Sequence, residues 1–350
     1  MAMPHELFVI HDTLERVQDV YRKGVNDLRD CFADSPRLIV TPSNRCDEGC
    51  CHCVSDSKPF AGVMSYEKFR NISPDFFQVF SAADFGRKGN PLSYLSDSHD
   101  LADMINVLYK NRIRNFTIAA AIHNRKSSIK RLRLFRQEKE ITIETMLTYH
   151  HYSENLDTLK LANDFNTAIR NYMGFSDNIL ISQLADNAKR KEVEGTFNRN
   201  RDIIFAGIDL KGGPLKYHAS YKGHSAAITI PETDTRVYPL GRFRRYLEKT
   251  GSLQQYEKDF EESMGDYICP DLIKWPGIII EPNGDLNMCS SFEAISCRKA
   301  VVSNIFEKPY NEVEQDLLGF HKKELEWFVR NIDGIIDGKV STCRLKNGMQ

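Results

Sequence analysis

Four cysteines lie within eight consecutive residues, and three of them have a spacing suited to metal chemistry. Cys46, Cys50 and Cys53 follow the pattern C-x3-C-x2-C. Three thiolates on one short loop can hold three irons of a cubane iron–sulfur cluster and leave the fourth iron open to a small molecule. Zinc is the weaker interpretation, because it usually takes four protein ligands and the adjacent Cys51 would join them awkwardly. A simple electron-transfer cluster would normally use a fourth cysteine nearby.

The cysteine loop follows directly on a strand-like run, 37–41, that ends at Pro42. In doubly wound and barrel folds, ligands bind where parallel strands end, so the loop stands at the expected position for chemistry. Apolar runs then alternate with amphipathic helical runs, which predicts strand–helix–strand units and a mainly parallel sheet. Five or six such units over about 170 residues favour an open or partial barrel over the complete eight-unit barrel.

The individual elements follow from hydrophobic periodicity. The strand-like runs are 37–41, 76–80, 116–122, 141–148, 179–184 and 203–208, and the main helical runs between them are 96–112, 125–137 and 154–172. We expect three parts in the chain: a short helical extension at 1–35, the barrel at 36–235, and a small α+β carboxyl-terminal domain at 236–350.

The last part carries its own signals. Asn283-Gly284 lies between the strand-like runs 278–280 and 286–289, a sequence that predicts a tight β-hairpin. Residues 309–336 are predicted to be helical, as is a polar stretch up to residue 266.

Composition bounds the class of protein. The 350 residues include 47 Lys and Arg and 48 Asp and Glu, so the net charge of −1 gives no reason to expect a nucleic-acid or membrane partner. No apolar run approaches the roughly 18 residues of a membrane helix, and the first residues lack a secretory signal, so we expect a cytoplasmic protein. Disulfides are rare in that compartment, which favours metal ligation for the nine cysteines.

The cysteine loop resembles the hallmark of the radical SAM superfamily, which has C-x3-C-x2-C after the first strand and usually an aromatic residue before the last cysteine. His52 occupies that place here. The resemblance implies an α/β fold with a partial (βα)6 barrel and a [4Fe–4S] cluster on Cys46, Cys50 and Cys53. It also implies that S-adenosylmethionine (SAM) binds the open iron and is reductively cleaved to methionine and a 5′-deoxyadenosyl radical. An electron donor such as flavodoxin or ferredoxin would serve as partner.

A second segment resembles the same superfamily. Its members usually carry a Gly-Gly-Glu-Pro-like turn after the second strand that contacts the amino group of SAM, and this chain has Gly89-Asn90-Pro91. Asn90 replaces the acid, and an amide oxygen can accept a hydrogen bond without the added strength of a charge. Gln183, at the end of the predicted fifth strand, is a weaker candidate for contact with SAM or substrate.

The carboxyl-terminal cysteines resemble a further signature. Cys269, Gly284 and Cys289 match the C-x(9–15)-G-x4-C pattern of the twitch and SPASM extensions of radical SAM enzymes. The resemblance implies at most one auxiliary iron–sulfur cluster, held by three or four of Cys269, Cys289, Cys297 and Cys343. Two alternatives stay open: the extension keeps its fold without a cluster, or Cys343 or Cys297 donates a hydrogen atom to the product radical.

Relatives of this architecture oxidise, epimerise or dehydrate sugars, nucleosides and peptides. The first 35 residues are shorter than the leader-binding module of some peptide-modifying members, so we expect a small-molecule substrate such as an aminosugar or nucleoside in a biosynthetic pathway. Modification of a ribosomal peptide is one alternative. The other is a non-catalytic iron–sulfur or zinc protein.

Overall fold

The computed structural model describes residues 15, 18–46, 53, 57, 61–86, 88–120, 126–148, 166–182, 204–208, 215–230, 241–264, 275–288 and 301–336. In this part of the chain, eleven strands form one mixed sheet. They are β1 Phe32–Val40, β2 Ala82–Phe85, β3 Asn115–Ala120, β4 Thr142–Thr148, β5 Asn178–Ser182, β6 Ile204–Ile208, β7 Leu215–Tyr221, β8 His224–Ile230, β9 Trp275–Ile280, β10 Asp285–Asn287 and β11 Val301–Asn304.

The sheet is parallel in its middle and antiparallel at both sides. Its order is β11-β10-β9-β1-β2-β3-β4-β5-β8-β7-β6. The run from β9 to β8 is parallel throughout, whereas β10, β11, β7 and β6 are joined antiparallel. The carboxyl ends of the seven parallel strands therefore share one edge, which we call the carboxyl edge.

The helices cover the sheet and confirm most of the predicted helical runs. They are α1 Tyr66–Arg70, α2 Pro74–Phe77, α3 Leu101–Lys110, α4 Lys126–Glu138, α5 Gly241–Lys249, α6 Leu253–Met264, α7 Tyr310–Arg330 and α8 Ile332–Ile336. Residues 18–23 and 166–172 are also helical. The amino-terminal helical prediction runs too far, since β1 already begins at Phe32. None of the helices in these segments combines the length and apolarity that a membrane crossing needs.

The two faces of the parallel strands differ in burial. Leu38, Ala83, Ile118, Ile143 and Ile179 are fully buried and belong to one apolar core that includes the inner side of α3. We call this side the core face. Residues that alternate with them, such as Asp84, Thr117, Glu144 and Asn178, are only half-buried. We call the side on which these four residues lie the polar face.

The prediction of a second strand at 76–80 is wrong. Ser73 accepts a hydrogen bond from the Asp75 amide, and Pro74 supplies the first helical position, so the apolar run starts as α2. The second strand is Ala82–Phe85, which pairs in parallel with both β1 and β3. Its alanines have little strand propensity, and the surrounding sheet imposes the conformation.

The prediction of a sixth parallel strand at 203–208 is also wrong in its placement. β6 lies at the edge and pairs antiparallel with β7. The position beside β5 is taken by β8, with Ile179 opposite Ile228. β7 and β8 form a hairpin through Lys222-Gly223, whose φ values of 48° and 79° are those of a two-residue primed turn. Lys-Gly lacks the Asn or Asp that usually reveals such a turn.

The predicted carboxyl-terminal hairpin is confirmed. β9 and β10 are antiparallel neighbours, and β9 pairs in parallel with β1, with Ile278 opposite Leu38. β9 to β11 thus extend the main sheet. The three-part division of the chain remains a prediction.

Candidate functional site

The cysteine loop leaves the carboxyl edge at the end of β1, as the sequence predicts. Cys46 and Cys53 are half-buried and reduced. Cys50, Cys51 and His52 lie outside the described residues. No group of three or more metal-ligating side chains comes together within the described segments, which include only two of the three predicted ligands.

The two ends of the cysteine loop are held together by main-chain hydrogen bonds. The Asn44 amide donates to the Gly62 carbonyl at 2.9 Å, and the Met64 amide donates to the Pro42 carbonyl at 2.8 Å. Ser43 and Val63 form an antiparallel bridge between these bonds. The loop is therefore closed at its base, and we call the paired residues 42–44 and 62–64 the stem.

The turn after β2 packs directly on this stem. The Asn90 amide donates to the Arg45 carbonyl at 3.0 Å, and the Gly89 amide donates to Ser57 Oγ at 2.9 Å. Gly89 has a φ of 69°, and a Cβ there would lie 2.7 Å from the Arg45 carbonyl oxygen and closer still to that of Ser43. Only glycine fits, because the left-handed backbone and the close approach both exclude a side chain.

Asn90 is buried, with 2% of its surface exposed. Its side-chain oxygen accepts a hydrogen bond from the Leu92 amide at 3.2 Å and so caps the 3-10 turn Pro91–Ser93. The predicted SAM contact through Asn90 stays a prediction.

An ion pair that sequence reasoning missed ties the same turn to the carboxyl-terminal hairpin. Lys88 Nζ lies 2.8 Å from Glu281 Oε1, and the two side chains are only 16% and 11% exposed. Glu281 directly follows β9, and Asn287 Nδ2 lies 3.5 Å from the same oxygen. A single Lys and a single Glu far apart in the chain give no sequence signal. The contact becomes visible only when β9 pairs with β1.

Several buried polar atoms beside the cysteines have no hydrogen-bond partner among the described residues. They include Asn44 Oδ1, Arg45 Nε and Thr41 Oγ1. Buried polar groups are nearly always satisfied, so such atoms call for a ligand or another group. Arg45 is half-buried and next in sequence to Cys46, and the positive charge of its guanidinium, whose Nε is buried, fits a negatively charged thiolate-bound cluster. The residues at this site therefore fit the implied group.

The carboxyl-terminal motif is partly described. Gly284 has a φ of 91°, its carbonyl accepts the Ile305 amide at 2.9 Å, and Asn304 Nδ2 donates to Asp285 at 2.9 Å. The hairpin turn and the 303–306 segment are thus fastened together. The other candidates of this region, Cys269, Cys289, Cys297 and Cys343, lie outside the described residues, and so does Gln183.

A row of polar side chains crosses the polar face, and sequence reasoning missed it too. It consists of Arg37, Asp84, Thr117, Glu144, Asn178 and Thr229, one from each of β1, β2, β3, β4, β5 and β8. We call it the polar row. Asp84, Thr117, Glu144 and Asn178 lie directly opposite one another in register. Sequence alone lacks this signal, because register brings the residues together.

The chain is similar in fold to solved structures but not in sequence to known families. No protein-family model matches the chain, and no curated protein sequence matches it significantly. SuiB from Streptococcus suis, in its structure bound to S-adenosylmethionine, aligns over 84% of this chain and 69% of its own, with 14% identity and a TM-score of 0.42. anSMEcpe, with bound AdoMet and a Cp18Cys peptide, aligns over 82% and 81%, also with 14% identity and a TM-score of 0.42. Both are radical SAM enzymes.

Proposed function

We propose that the protein is a radical SAM enzyme built on a partial (βα)6 barrel. The observation that carries the proposal is the cysteine stem at the end of β1. Cys46 and Cys53 lie in a loop whose base is closed by hydrogen bonds between 42–44 and 62–64. The Gly89-Asn90-Pro91 turn packs against that base, in the order along the chain that the motifs require.

Cys46, Cys50 and Cys53 would hold a [4Fe–4S] cluster. When bound, such a cluster with an open iron supplies the electron that cleaves SAM to methionine and a 5′-deoxyadenosyl radical, which takes hydrogen from the substrate. The chain would position the group: Gly89 lets the turn approach the stem, and half-buried Arg45, next in sequence to Cys46, supplies positive charge. His52, Asn90, Pro91 and Gln183 are the proposed contacts to SAM.

The carboxyl-terminal segment 236–350 would be a twitch- or SPASM-like extension with one auxiliary cluster on Cys269, Cys289, Cys297 and Cys343. The support is local: the Gly284 turn of the motif is fastened to the 303–306 segment by hydrogen bonds. Cys343 or Cys297 as hydrogen-atom donor is the competing role for these cysteines.

The substrate we propose is a small polar molecule, oxidised, epimerised or dehydrated in a biosynthetic pathway, with flavodoxin or ferredoxin as electron donor. The polar row, half-buried on the face of the parallel strands, supports a polar ligand. A modified peptide and a non-catalytic role are the alternatives that the experiments must separate.

The decisive experiment is anaerobic reconstitution with iron and sulfide, followed by dithionite and SAM. We expect 5′-deoxyadenosine, measured by liquid chromatography, and its complete loss in Cys46→Ala and Cys53→Ala. Cys31→Ala is the control, because Cys31 lies in the apolar core and should not affect iron. A loaded wild type that forms no 5′-deoxyadenosine would show that the protein is a non-catalytic metal protein.

Iron analysis tests the auxiliary cluster. We expect about eight irons per chain in the wild type and about four in the Cys46/Cys50/Cys53 triple alanine variant, since each cubane holds four. A triple variant without iron would exclude the second cluster.

A further inference from the structure

The polar row is an unusual feature for a parallel sheet. Such sheets are normally covered on both faces, and their strands are correspondingly apolar throughout. Here the core face is fully buried, whereas the row stays half-buried, with side-chain exposures of 42% for Arg37 and 28% for Asp84. Six neighbouring strands each contribute a polar side chain to it. Packing of the core does not explain a polar and accessible surface on this face of the parallel strands.

Two hydrogen-bonded groups make up the row. In the first, Arg37 forms a bidentate ion pair with Asp84 and also donates to Thr117 Oγ1 at 2.8 Å. In the second, Asn178 Nδ2 donates to Glu144 Oε2 at 2.6 Å, and Thr229 Oγ1 donates to Asn178 Oδ1 at 3.1 Å. Asn178 thereby has its oxygen occupied and one amide proton directed at Glu144. These contacts fix the side chains in place before any ligand arrives.

The charge of the row is unbalanced. Arg37 is its single cation, and Asp84 already pairs with Nε and Nη2 of that guanidinium. The pKa of Arg37 is raised by the hydrogen bond to Asp84 and, further, by the charges of Asp84 and Glu144. Glu144 has no ion-pair partner in the described part of the chain, so the row carries one net negative charge.

On the described strands, the nearest other cation of this face does not alter the balance. Lys216 lies opposite Thr229 on β7 and is exposed. It is three strands from Glu144, roughly 14 Å along the sheet at the usual strand spacing. Salt largely screens exposed charges at that separation.

Nearer the carboxyl edge, the same side of the sheet has further polar atoms without partners. Thr41 continues the alternation of Arg37 and Ile39, is fully buried, and its hydroxyl has no hydrogen-bond partner among the described residues. Asn287 pairs with Ile279 and is 5% exposed. Its side-chain oxygen also has no hydrogen-bond partner among the described residues. Unsatisfied buried oxygens are costly, and both accept hydrogen bonds.

We propose that the polar row is the substrate-binding surface and that it takes a small ligand with a protonated amine and several hydroxyl groups. The ammonium would donate to Glu144, and the hydroxyls would bond to Thr117 or Thr229 on nearby strands. A phosphate or carboxylate ligand is disfavoured, because no cation of the row is left without a carboxylate. This inference deepens the proposed function: the ligand is a substrate only if the protein is the proposed enzyme.

The test is a binding titration with the full-length protein, loaded with iron and SAM and also unloaded. The probes are D-glucosamine, D-glucose and D-glucose 6-phosphate at about pH 6.5, where the amine is protonated. We expect glucosamine to bind about tenfold or more tightly than glucose, and the phosphate to bind least. Equal affinities, tighter binding of the phosphate, or no binding of any probe would overturn the proposal.

Variants assign the effect to one carboxylate. Glu144→Gln should bring the amine preference down to about twofold or less, and Glu144→Asp, which keeps the charge, should retain most of it. Glu138→Gln, at the exposed end of α4, is the matched control and should leave the preference unchanged. An unchanged preference in Glu144→Gln would also contradict the assignment. If Glu144→Gln fails to fold, as judged by circular dichroism, Glu144→Asp decides: loss of preference there refutes the role of charge.

The outcome is separable from that of the proposed function. Amine preference without 5′-deoxyadenosine formation would refute the radical SAM activity and leave the binding surface standing. Formation of 5′-deoxyadenosine without amine preference would refute the binding surface alone.

Discussion

The cysteine stem and the polar row belong to the same sheet and treat polar groups in opposite ways. At the stem, main-chain bonds close the loop, Gly89 is in contact with two carbonyls, and the Lys88–Glu281 pair is almost completely buried. In the polar row, the charged side chains are accessible and one carboxylate is left unneutralised. The difference suits two tasks. A group that must stay in place requires a rigid holder, while a ligand that enters and leaves requires an accessible surface.

The largest effect should come from Gly89→Ala. The left-handed backbone costs about 1–2 kcal/mol for a residue with a side chain, and the clash with the Ser43 and Arg45 carbonyls adds about 1–3 kcal/mol. Gly251→Ala is the matched control, since its φ of 70° is nearly the same and nothing lies within 4 Å of the added Cβ. Urea unfolding measures both free energies. Equal losses in the two variants would show that the turn does not press on the stem.

Next in size is Lys88→Met. It leaves the buried Glu281 carboxylate without its cation, and such a loss typically costs about 3 kcal/mol or more. Lys308→Met removes a comparable contact to Asp316, but that pair is exposed, so its urea midpoint should stay the same within error. The two variants remove the same kind of Lys–carboxylate pair, so the difference between them measures the effect of burial. A small effect for Lys88→Met would mean that the stem is less tightly fixed than the distances indicate.

A smaller effect is expected for Asn90→Ala. Loss of the cap on Pro91–Ser93 should lower the free energy of unfolding by about 1 kcal/mol. If Asn90 also contacts SAM, equilibrium dialysis should show SAM affinity reduced about tenfold. Ser73→Ala removes the analogous cap of α2 and should affect stability only. An unchanged SAM affinity in Asn90→Ala would exclude that contact.

The smallest effect on stability should come from Glu144→Gln. The amide keeps an acceptor for Asn178 and removes an unneutralised charge, so the free energy of unfolding should change by less than about 0.5 kcal/mol. Differential scanning calorimetry measures this. A loss of about 2 kcal/mol would mean that the polar row serves the fold, and the contrast with the stem would disappear.

The sequence predicted the parts of the site that are local in the chain. Three segments follow the strands as expected: the cysteine loop after β1, the Gly89-Asn90-Pro91 turn after β2 and the Asn283-Gly284 turn after β9. Each was predictable because its signal lies in consecutive residues. The strand at 76–80 was wrongly predicted because its apolar residues suit a buried helix as well as a strand.

The missing parts depend on contacts between distant segments. The Lys88–Glu281 pair spans 193 positions of the chain, and the polar row draws on six strands. Neither leaves a pattern in consecutive residues, because both arise from strand order and register. Strand order also decided the position of β6, which sequence alone placed among the parallel strands.

The pairing of β1 with β9 bears on how the protein is made. β1 is complete at Val40, yet its neighbour β9 begins only at Trp275, and the Thr41 amide bonds to the Ile280 carbonyl. Contacts between such remote segments form late, and during synthesis the nascent first strand has one open edge. The stem therefore reaches its final setting only when most of the chain has left the ribosome, so loading of the proposed cluster is expected to follow translation rather than accompany it.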